Sequence, residues 1–464
     1  MRMFDKSTYN FQLPLMAGIF IVAFAALAYW AGFPKEKFLL FVAGAAVLIG
    51  GMAVYAVLIW HLLFRPLPVS VQKPVLALLP EQSRKLIAVL LTIAGMSIVI
   101  GGFWDEVWHR SFGFPFGPDL FWRPHILIYL GLLTPPCLAG YSIYILATQQ
   151  KGSLQQRFRS DPVSGLLILM GGFLLFSVPA DPVWHVIYGE DISAWSLPHI
   201  MLLFSVSLMM VLAVFIQRTT MRLDGNPGQS GLRFAEILVI VGLAFALQIQ
   251  LQVLATDWEN GNPMLTQRPD WLLPVIFASL ASLMGSLGIH SLRRWGPATA
   301  VGLIALLLRY GLIQVFDFNS ATINSWQPIL PPLFVLDAWY GIKAWTRKDS
   351  QRKLWNQQSL LDRFGDGLAV LVGMLASFSL IDRFFSYPLI RFPEVLGMGI
   401  AGLVAGILGT WIGSRIGSAL AVSGKQEGES ISQPSLVYGF APAILFLVVI
   451  ALIYGFIITA VPPA

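Results

Sequence analysis

Apolar runs long enough to cross a lipid bilayer follow one another along almost the whole chain. A spanning helix needs about 20 apolar residues. The chain offers thirteen such runs, at 13–33, 38–63, 86–109, 123–147, 163–187, 197–217, 232–256, 271–291, 296–316, 327–346, 365–386, 393–420 and 436–460. Charged residues make up only 12% of the chain, which excludes an ordinary water-soluble domain. The sequence therefore predicts an all-α, polytopic integral membrane protein.

The positive charges between these runs predict how the chain is oriented. Lys and Arg collect in the segments 64–85, 148–162, 218–231 and 347–364, and short loops rich in these residues stay in the cytoplasm. With these loops in the cytoplasm and thirteen spans, we predict an N-terminus inside and a C-terminus outside the cytoplasmic membrane. No cleavable signal peptide is expected. The short loops favour a bacterial origin. The net charge of +6 then reflects topology, and we expect the lipid bilayer but no nucleic acid as a partner.

Four of the six histidines fall in two copies of one pattern, Asp-x-Val-Trp-His followed by Pro-His-Ile. The candidate ligands of the two copies are Asp105, His109, His125, Asp181, His185 and His199. In each copy the Asp and the first His are four residues apart, which puts them on one helix face. The second His follows a proline, a residue tolerated at a helix start. The sequence predicts a tandem repeat of one helical hairpin, with both copies at extracytoplasmic helix ends.

One carboxylate and two imidazoles can form an open metal site that suits copper, zinc, iron or nickel. Ionisable groups at membrane depth are costly and usually functional, so the repeated pattern favours a metal site over a pair that only locks helix ends. Spacing leaves open whether the copies hold one ion or two. Haem is a further interpretation, because thirteen residues separate His185 from His199. Proton carriage by the Asp and His side chains is another.

Both copies resemble the Asp-x-x-x-His … His copper-ligand pattern in the C subunit of particulate methane and ammonia monooxygenases. They also resemble uncharacterised multi-span bacterial membrane proteins with Trp-Asp-x-x-Trp-His and Pro-His motifs. The first resemblance implies copper as the metal and a site on the extracytoplasmic side. It also implies work in or beside a membrane oxidoreductase, with other membrane subunits or a redox partner. Whether the chain is itself an enzyme stays open.

The runs divide into three predicted segments: a two-helix segment 1–85, the duplicated hairpins 86–217 and a seven-helix segment 218–464. Two other classes of function fit this layout. In a proton- or cation-coupled transporter the hairpins would form an outer vestibule. In a non-catalytic scaffold subunit of a larger complex, the Asp and His pairs would only hold helix ends together.

Several polar residues interrupt the later apolar runs. Three alternate along one run: Gln248, Gln250 and Gln252. They predict hydrogen bonds between helices or the lining of a polar cavity. Arg309 is expected to pair with a carboxylate such as Asp337, and His290 is expected to be a core or interfacial residue. The glycines of 397–417 predict close helix packing.

Overall fold

The computed structural model describes residues 79–112, 123–148, 156–158, 161–188, 197–220, 234–255, 271–316, 326–346, 359–377 and 394–423, with isolated helical positions between 39 and 55. The side chains of 108–112 and 179–188 lie outside this description, although their backbone is helical. The predicted runs 13–33 and 436–460, and most of 38–63, also lie outside it. The division into three segments stays a prediction.

Within the described ranges the regular structure is helical, and we number the long helices in chain order. They are α1 (Glu81–Phe112), α2 (Arg123–Thr148), α3 (Pro162–Tyr188), α4 (Leu197–Thr220), α5 (Phe234–Ala255), α6 (Leu272–Leu292), α7 (Pro297–Val315), α8 (Leu330–Thr346), α9 (Leu360–Ala376) and α10 (Glu394–Ser423). A short 3-10 turn, Gln327–Ile329, leads into α8.

Six of these helices, α1, α2, α5, α6, α7 and α10, are long and apolar enough to cross a membrane. A helix satisfies its own backbone hydrogen bonds, which is what a chain needs in a medium without water. The prediction of an all-α protein with apolar spanning helices is therefore confirmed for the described residues. The count of thirteen spans stays a prediction.

Helix α9 begins earlier than its apolar run, which was predicted to start at 365. The Ser359 hydroxyl accepts a hydrogen bond from the Asp362 backbone N–H, and the Asp362 carboxylate accepts one from the Ser359 N–H. This reciprocal capping satisfies backbone donors that a helix start leaves open. The helix can therefore begin among charged residues that hydropathy alone excludes.

Helices α1 and α2 form an antiparallel pair with a very close backbone approach. The Ser97 hydroxyl donates to the Leu127 carbonyl oxygen at 2.7 Å. A Cβ on Gly101 would lie 2.8 Å from the Pro124 carbonyl oxygen, so only glycine fits there without a shift. The C-terminal end of α1 consequently lies beside the first turn of α2. Helices α3 and α4 are also neighbours, and their likeness to the first pair stays a prediction.

At the other end of the first pair, a buried carboxylate joins α3 to α1. Asp161 precedes α3 and accepts hydrogen bonds from the backbone N–H of Val163 at 3.0 Å and of Leu79 at 2.8 Å. Arg84 of α1 lies 3.5 Å from the same carboxylate. Asp161 thus caps α3 and anchors the start of α1 beside it.

Helix α6 lies at the centre of the C-terminal half, with nearly all of its side chains buried. It runs in the same direction as α10, since Gly409 packs on Ser282 and Gly417 packs on His290. The Ser286 hydroxyl donates to the Thr410 carbonyl oxygen at 3.0 Å. Close packing is therefore confirmed for the later glycines of 397–417.

Substitution of Gly413 by alanine should destabilise the protein. Its Cβ would lie 2.3 Å from the Leu283 carbonyl oxygen, so α6 and α10 would have to separate, and overpacking of this kind costs about 1–3 kcal/mol. Thermal unfolding in mild detergent measures the loss. Gly399→Ala is the matched control, because nothing lies within 4 Å of its added Cβ. Equal melting temperatures for the two variants would contradict the packing described here.

Candidate metal centre

The ends of α1 and α2 bring together two candidate ligands of the first motif copy. Asp105 Oδ1 lies 3.0 Å from His125 Nε2, and both side chains are about three-quarters buried. The close backbone approach at Gly101 makes this contact possible, because it sets the first turn of α2 against the last turns of α1. A carboxylate oxygen and an imidazole nitrogen from two helices therefore meet at this end of the protein.

The other four candidates are placed by their helices. His109 lies one turn beyond Asp105 on α1, so the two Cα–Cβ bonds leave the same helix face. Asp181 and His185 have the same spacing on α3. The side chains of these three residues lie outside the described part. His199 lies in the first turn of α4 and is partly buried.

The described side chains alone do not assemble three metal-binding groups of the His, Cys, Asp and Glu types. The described side chains include those of Asp105, His125 and His199 but not those of His109, Asp181 and His185. The metal site therefore stays a prediction, now with two of its donors in contact.

Aromatic rings connect the end of α1, next to Asp105 in the chain, to its neighbours. The Trp104 ring stacks on Phe316 with ring centroids 5.6 Å apart, and Phe103 contacts the same ring at 5.9 Å. On α2, the His125 ring lies 6.0 Å from the Tyr129 ring. The two contacts with Phe316 dock the end of α1 onto the end of α7.

Next to Asp105, Glu106 faces a fully buried arginine. Arg309 of α7 places Nη1 3.7 Å from Glu106 Oε2. Its guanidinium carbon lies 3.8 Å from the centre of the Trp326 ring and 4.7 Å from that of Phe103. An anion on one side and aromatic faces on the others stabilise a cation that burial would otherwise penalise.

The prediction that Arg309 pairs with a carboxylate is confirmed by Glu106, but Asp337, the carboxylate named as an example, is not that partner. The Asp337 carboxylate accepts hydrogen bonds from the backbone N–H of Gly296 at 2.8 Å and from the N–H and hydroxyl of Thr299 at 2.6 and 2.7 Å. Thr299 lies at the start of α7, ten residues before Arg309, which is about 15 Å along a helix. The two charged groups are at different depths, so they cannot meet.

Helix α5 contributes polar side chains to two of its neighbours. Gln250 Nε2 donates to the Ser207 hydroxyl of α4 at 3.1 Å, which confirms interhelical hydrogen bonding for this residue. Gln252 Nε2 lies 3.3 Å from the position of a Cβ on Gly102 of α1. Gln248 is fully buried, and its amide makes no hydrogen bond within the described part of the chain.

A second cluster of buried polar groups lies at the opposite end of the helices, and sequence reasoning missed it. It joins His290 to Tyr340, Lys343 and Asp366. His290 is buried as expected, but its partners were not singled out. Lys343 and Asp366 are charged residues within predicted apolar runs. Such residues are costly to bury and usually functional, so their positions could have pointed to this cluster.

No known protein family, curated protein or solved structure matches this chain. The likeness to the monooxygenase subunit accordingly rests on the motif residues alone. Function has to be inferred from the chemistry of these side chains and their contacts.

Removal of the charge on Glu106 should destabilise the protein strongly. Glu106→Gln leaves the Arg309 cation buried beside a neutral side chain, at a cost of about 3 kcal/mol. The double variant Glu106→Gln, Arg309→Met should recover much of that loss, because no buried charge remains. Chemical unfolding of the four proteins of this double-mutant cycle gives the coupling energy.

A matched control for this cycle is the Glu236 and Arg294 pair. It has a shorter N–O distance of 3.3 Å, but both side chains are partly exposed. Exposed pairs contribute about 0–1 kcal/mol, so Glu236→Gln should change stability little. If Glu106→Gln lowers the free energy of unfolding no more than Glu236→Gln does, the buried Arg309 cation is not stabilised by Glu106.

Proposed function

We propose that the chain is an integral membrane protein that holds a metal ion, copper, between α1 and α2. The ligands would be Asp105, His109 and His125, with a second site of the same kind at Asp181, His185 and His199. The observation that carries the proposal is the 3.0 Å contact between Asp105 Oδ1 and His125 Nε2. Two donors from separate helices already converge, and the third candidate is one turn away.

The donors of the first copy fit a metal ion in charge and in spacing. Two ligands that each lie about 2.1 Å from one ion are roughly 3.0–3.4 Å apart, close to the observed separation. The Asp105 carboxylate compensates part of the positive charge of an ion. Glu106 is already engaged by Arg309, so the proposed ligand set needs only one of the two neighbouring carboxylates.

Copper is proposed rather than zinc or iron because of the motif's resemblance to the monooxygenase subunit. Three nitrogen and oxygen donors leave coordination positions open, and copper would supply one-electron exchange or oxygen activation there. Within the protein, Asp105 and His125 would orient the ion, while Trp104 and Phe316 would limit its exposure to water. We therefore propose that the chain works in or beside a membrane oxidoreductase, with this end on the extracytoplasmic side.

Elemental analysis of the purified protein in mild detergent tests this proposal. Wild type should carry up to two copper ions per chain, one for each copy of the motif, and His109→Ala and His125→Ala should each lose the ion of the first copy. His185→Ala shows whether the second copy holds an ion of its own. Cys137→Ser is the matched control: this exposed thiol on α2 lies outside the proposed site, so its copper content should equal that of wild type.

A folded wild-type protein that takes up no copper, zinc or iron when each is offered in excess would overturn the metal centre. The Asp105 and His125 pair would then be a contact that locks two helix ends. The same conclusion would follow if His109→Ala and His125→Ala each kept as much metal per chain as wild type.

A further inference from the structure

A chain of hydrogen bonds between ionisable side chains joins three helices at the end opposite the candidate metal centre. His290 Nε2 of α6 lies 2.8 Å from the Tyr340 hydroxyl of α8, which lies 2.8 Å from Asp366 Oδ2 of α9. Lys343 Nζ lies 2.5 Å from Asp366 Oδ1. Each of these four residues is at most 3% exposed. None of them belongs to the motif copies.

The hydrogen bonds give this chain a direction. Asp366 Oδ1 accepts from Lys343 and from the Trp339 indole N–H at 2.8 Å, and Oδ2 accepts from the Tyr340 hydroxyl. Because Tyr340 gives its only proton to Asp366, its oxygen must accept from His290 Nε2. The neutral His290 ring therefore carries its proton on Nε2, and its Nδ1 faces the Ser418 hydroxyl of α10 at 3.4 Å.

A purely structural role would not require this arrangement. Lys343 and Asp366 satisfy each other's charge, and a buried ion pair is weak support for stability because its desolvation is costly. His290 and Tyr340 add a continuous path from the end of α6 to the carboxylate. His290 lies close to the 293–296 connection, where Trp295 is 62% exposed. The Nδ1 end of the path faces Ser418, which is partly exposed, and the other end is a buried carboxylate.

We propose that His290, Tyr340 and Asp366 form a proton-loading site with Lys343 as its fixed counter-charge. A proton from water binds to His290 Nδ1, the Nε2 proton moves to the Tyr340 oxygen, and the Tyr340 proton moves to Asp366 Oδ2. The step takes up one proton and moves no electron. It ends with a neutral Asp366, a neutral Tyr340 and His290 protonated on Nδ1.

Loading changes the contact between α8 and α9. The Lys343 ammonium keeps its charge but loses the anion it faces, so the attraction that joins the two helices weakens. The Tyr340 ring face still lies 3.6 Å from this ammonium, but a buried cation is less favourable once its carboxylate is neutral, so the loaded state is higher in energy and ready to release its proton. Protonation of Asp366 is in this way coupled to how tightly α8 holds α9.

Charged groups around the site are engaged elsewhere or oppose loading. They are Arg293 and Arg294 after α6, Glu236 of α5, Asp337 of α8, Asp362 and Arg363 of α9 and Arg415 of α10. Arg293 directly follows α6, and its positive charge opposes the arrival of a proton at His290. Glu236 pairs with Arg294, and Asp337 accepts hydrogen bonds from the start of α7. Asp362 caps α9. Arg363 lies 5.6 Å from the centre of the Trp411 ring, and Arg415 is exposed.

Infrared difference spectra of the full protein in detergent, recorded over a pH series, test the loading. Wild type should gain a carboxylic-acid C=O band as pH falls, and that band should be missing in Asp366→Asn. The variant comparison is needed because Asp161 and Asp337 are also buried. Trp339 fluorescence provides a second readout in which Asp366 is not substituted. The Trp339 indole N–H donates to this carboxylate, so its emission should respond to the charge of Asp366. Its emission, isolated by difference from Trp339→Phe, should follow the same titration.

Tyr340→Phe separates the relay from a structural role. The ring that lies 3.6 Å from Lys343 Nζ is kept, but the hydroxyl that passes the proton is removed. The loaded state should still form at equilibrium, while the rate at which it forms after a pH jump should fall by at least about tenfold. Tyr310→Phe, at an exposed tyrosine of α7, is the matched control and should react as fast as wild type.

Two results would overturn the proposal. The first is the lack of any pH-dependent signal from Asp366 or Trp339 while the protein stays folded. The second is an unchanged rate in Tyr340→Phe. If Asp366→Asn does not fold, the Trp339 signal in wild type and in Tyr340→Phe still decides between loading and a fixed ion pair.

Discussion

Close contact between helix backbones, made possible by glycine, is the interaction on which the rest of this structure depends. Between apolar helices in a bilayer there is little hydrophobic driving force, so packing and interhelical hydrogen bonds must hold them together. Gly101 lets α1 approach α2, Gly413 lets α10 approach α6, and Gly373 lets α9 approach Pro332 of α8. Each of these approaches also brings polar side chains from two helices within hydrogen-bonding distance. Packing and the chemistry of the sites therefore have the same origin.

Buried charged side chains are concentrated at the two ends of the helices, and they are stabilised by different partners at each end. At the motif end, Arg309 lies between Glu106 and the faces of two aromatic rings, which leaves the neighbouring Asp105 in contact with His125. At the other end, Asp366 accepts three hydrogen bonds and is connected through Tyr340 to a histidine. The first end is our proposed site for a metal cation, and the second is our proposed path for a proton. A protein that coupled metal chemistry to proton movement would need both.

Helix positions could be predicted because apolar length is a local property of the chain. The described helices coincide with ten of the predicted runs, and the early start of α9 reflects a capping interaction that hydropathy does not measure. The contact between Asp105 and His125 was also within reach, since consecutive helices joined by a short segment are usually neighbours. The pairing of Arg309 with Asp337 failed because charge complementarity carries no information about depth.

The sequence alone determined the all-α class, the approximate helix ends and the placement of the motif at one end of α1 and α2. These rest on hydropathy, helical period and proline positions, which depend on near neighbours in the chain. Only the tertiary structure decided that Glu106 faces Arg309 and that Asp366 meets both Lys343 and Tyr340. Such contacts join helices that are distant in sequence. They depend on which helices pack together and at what relative height, and close backbone approach at small residues settles both.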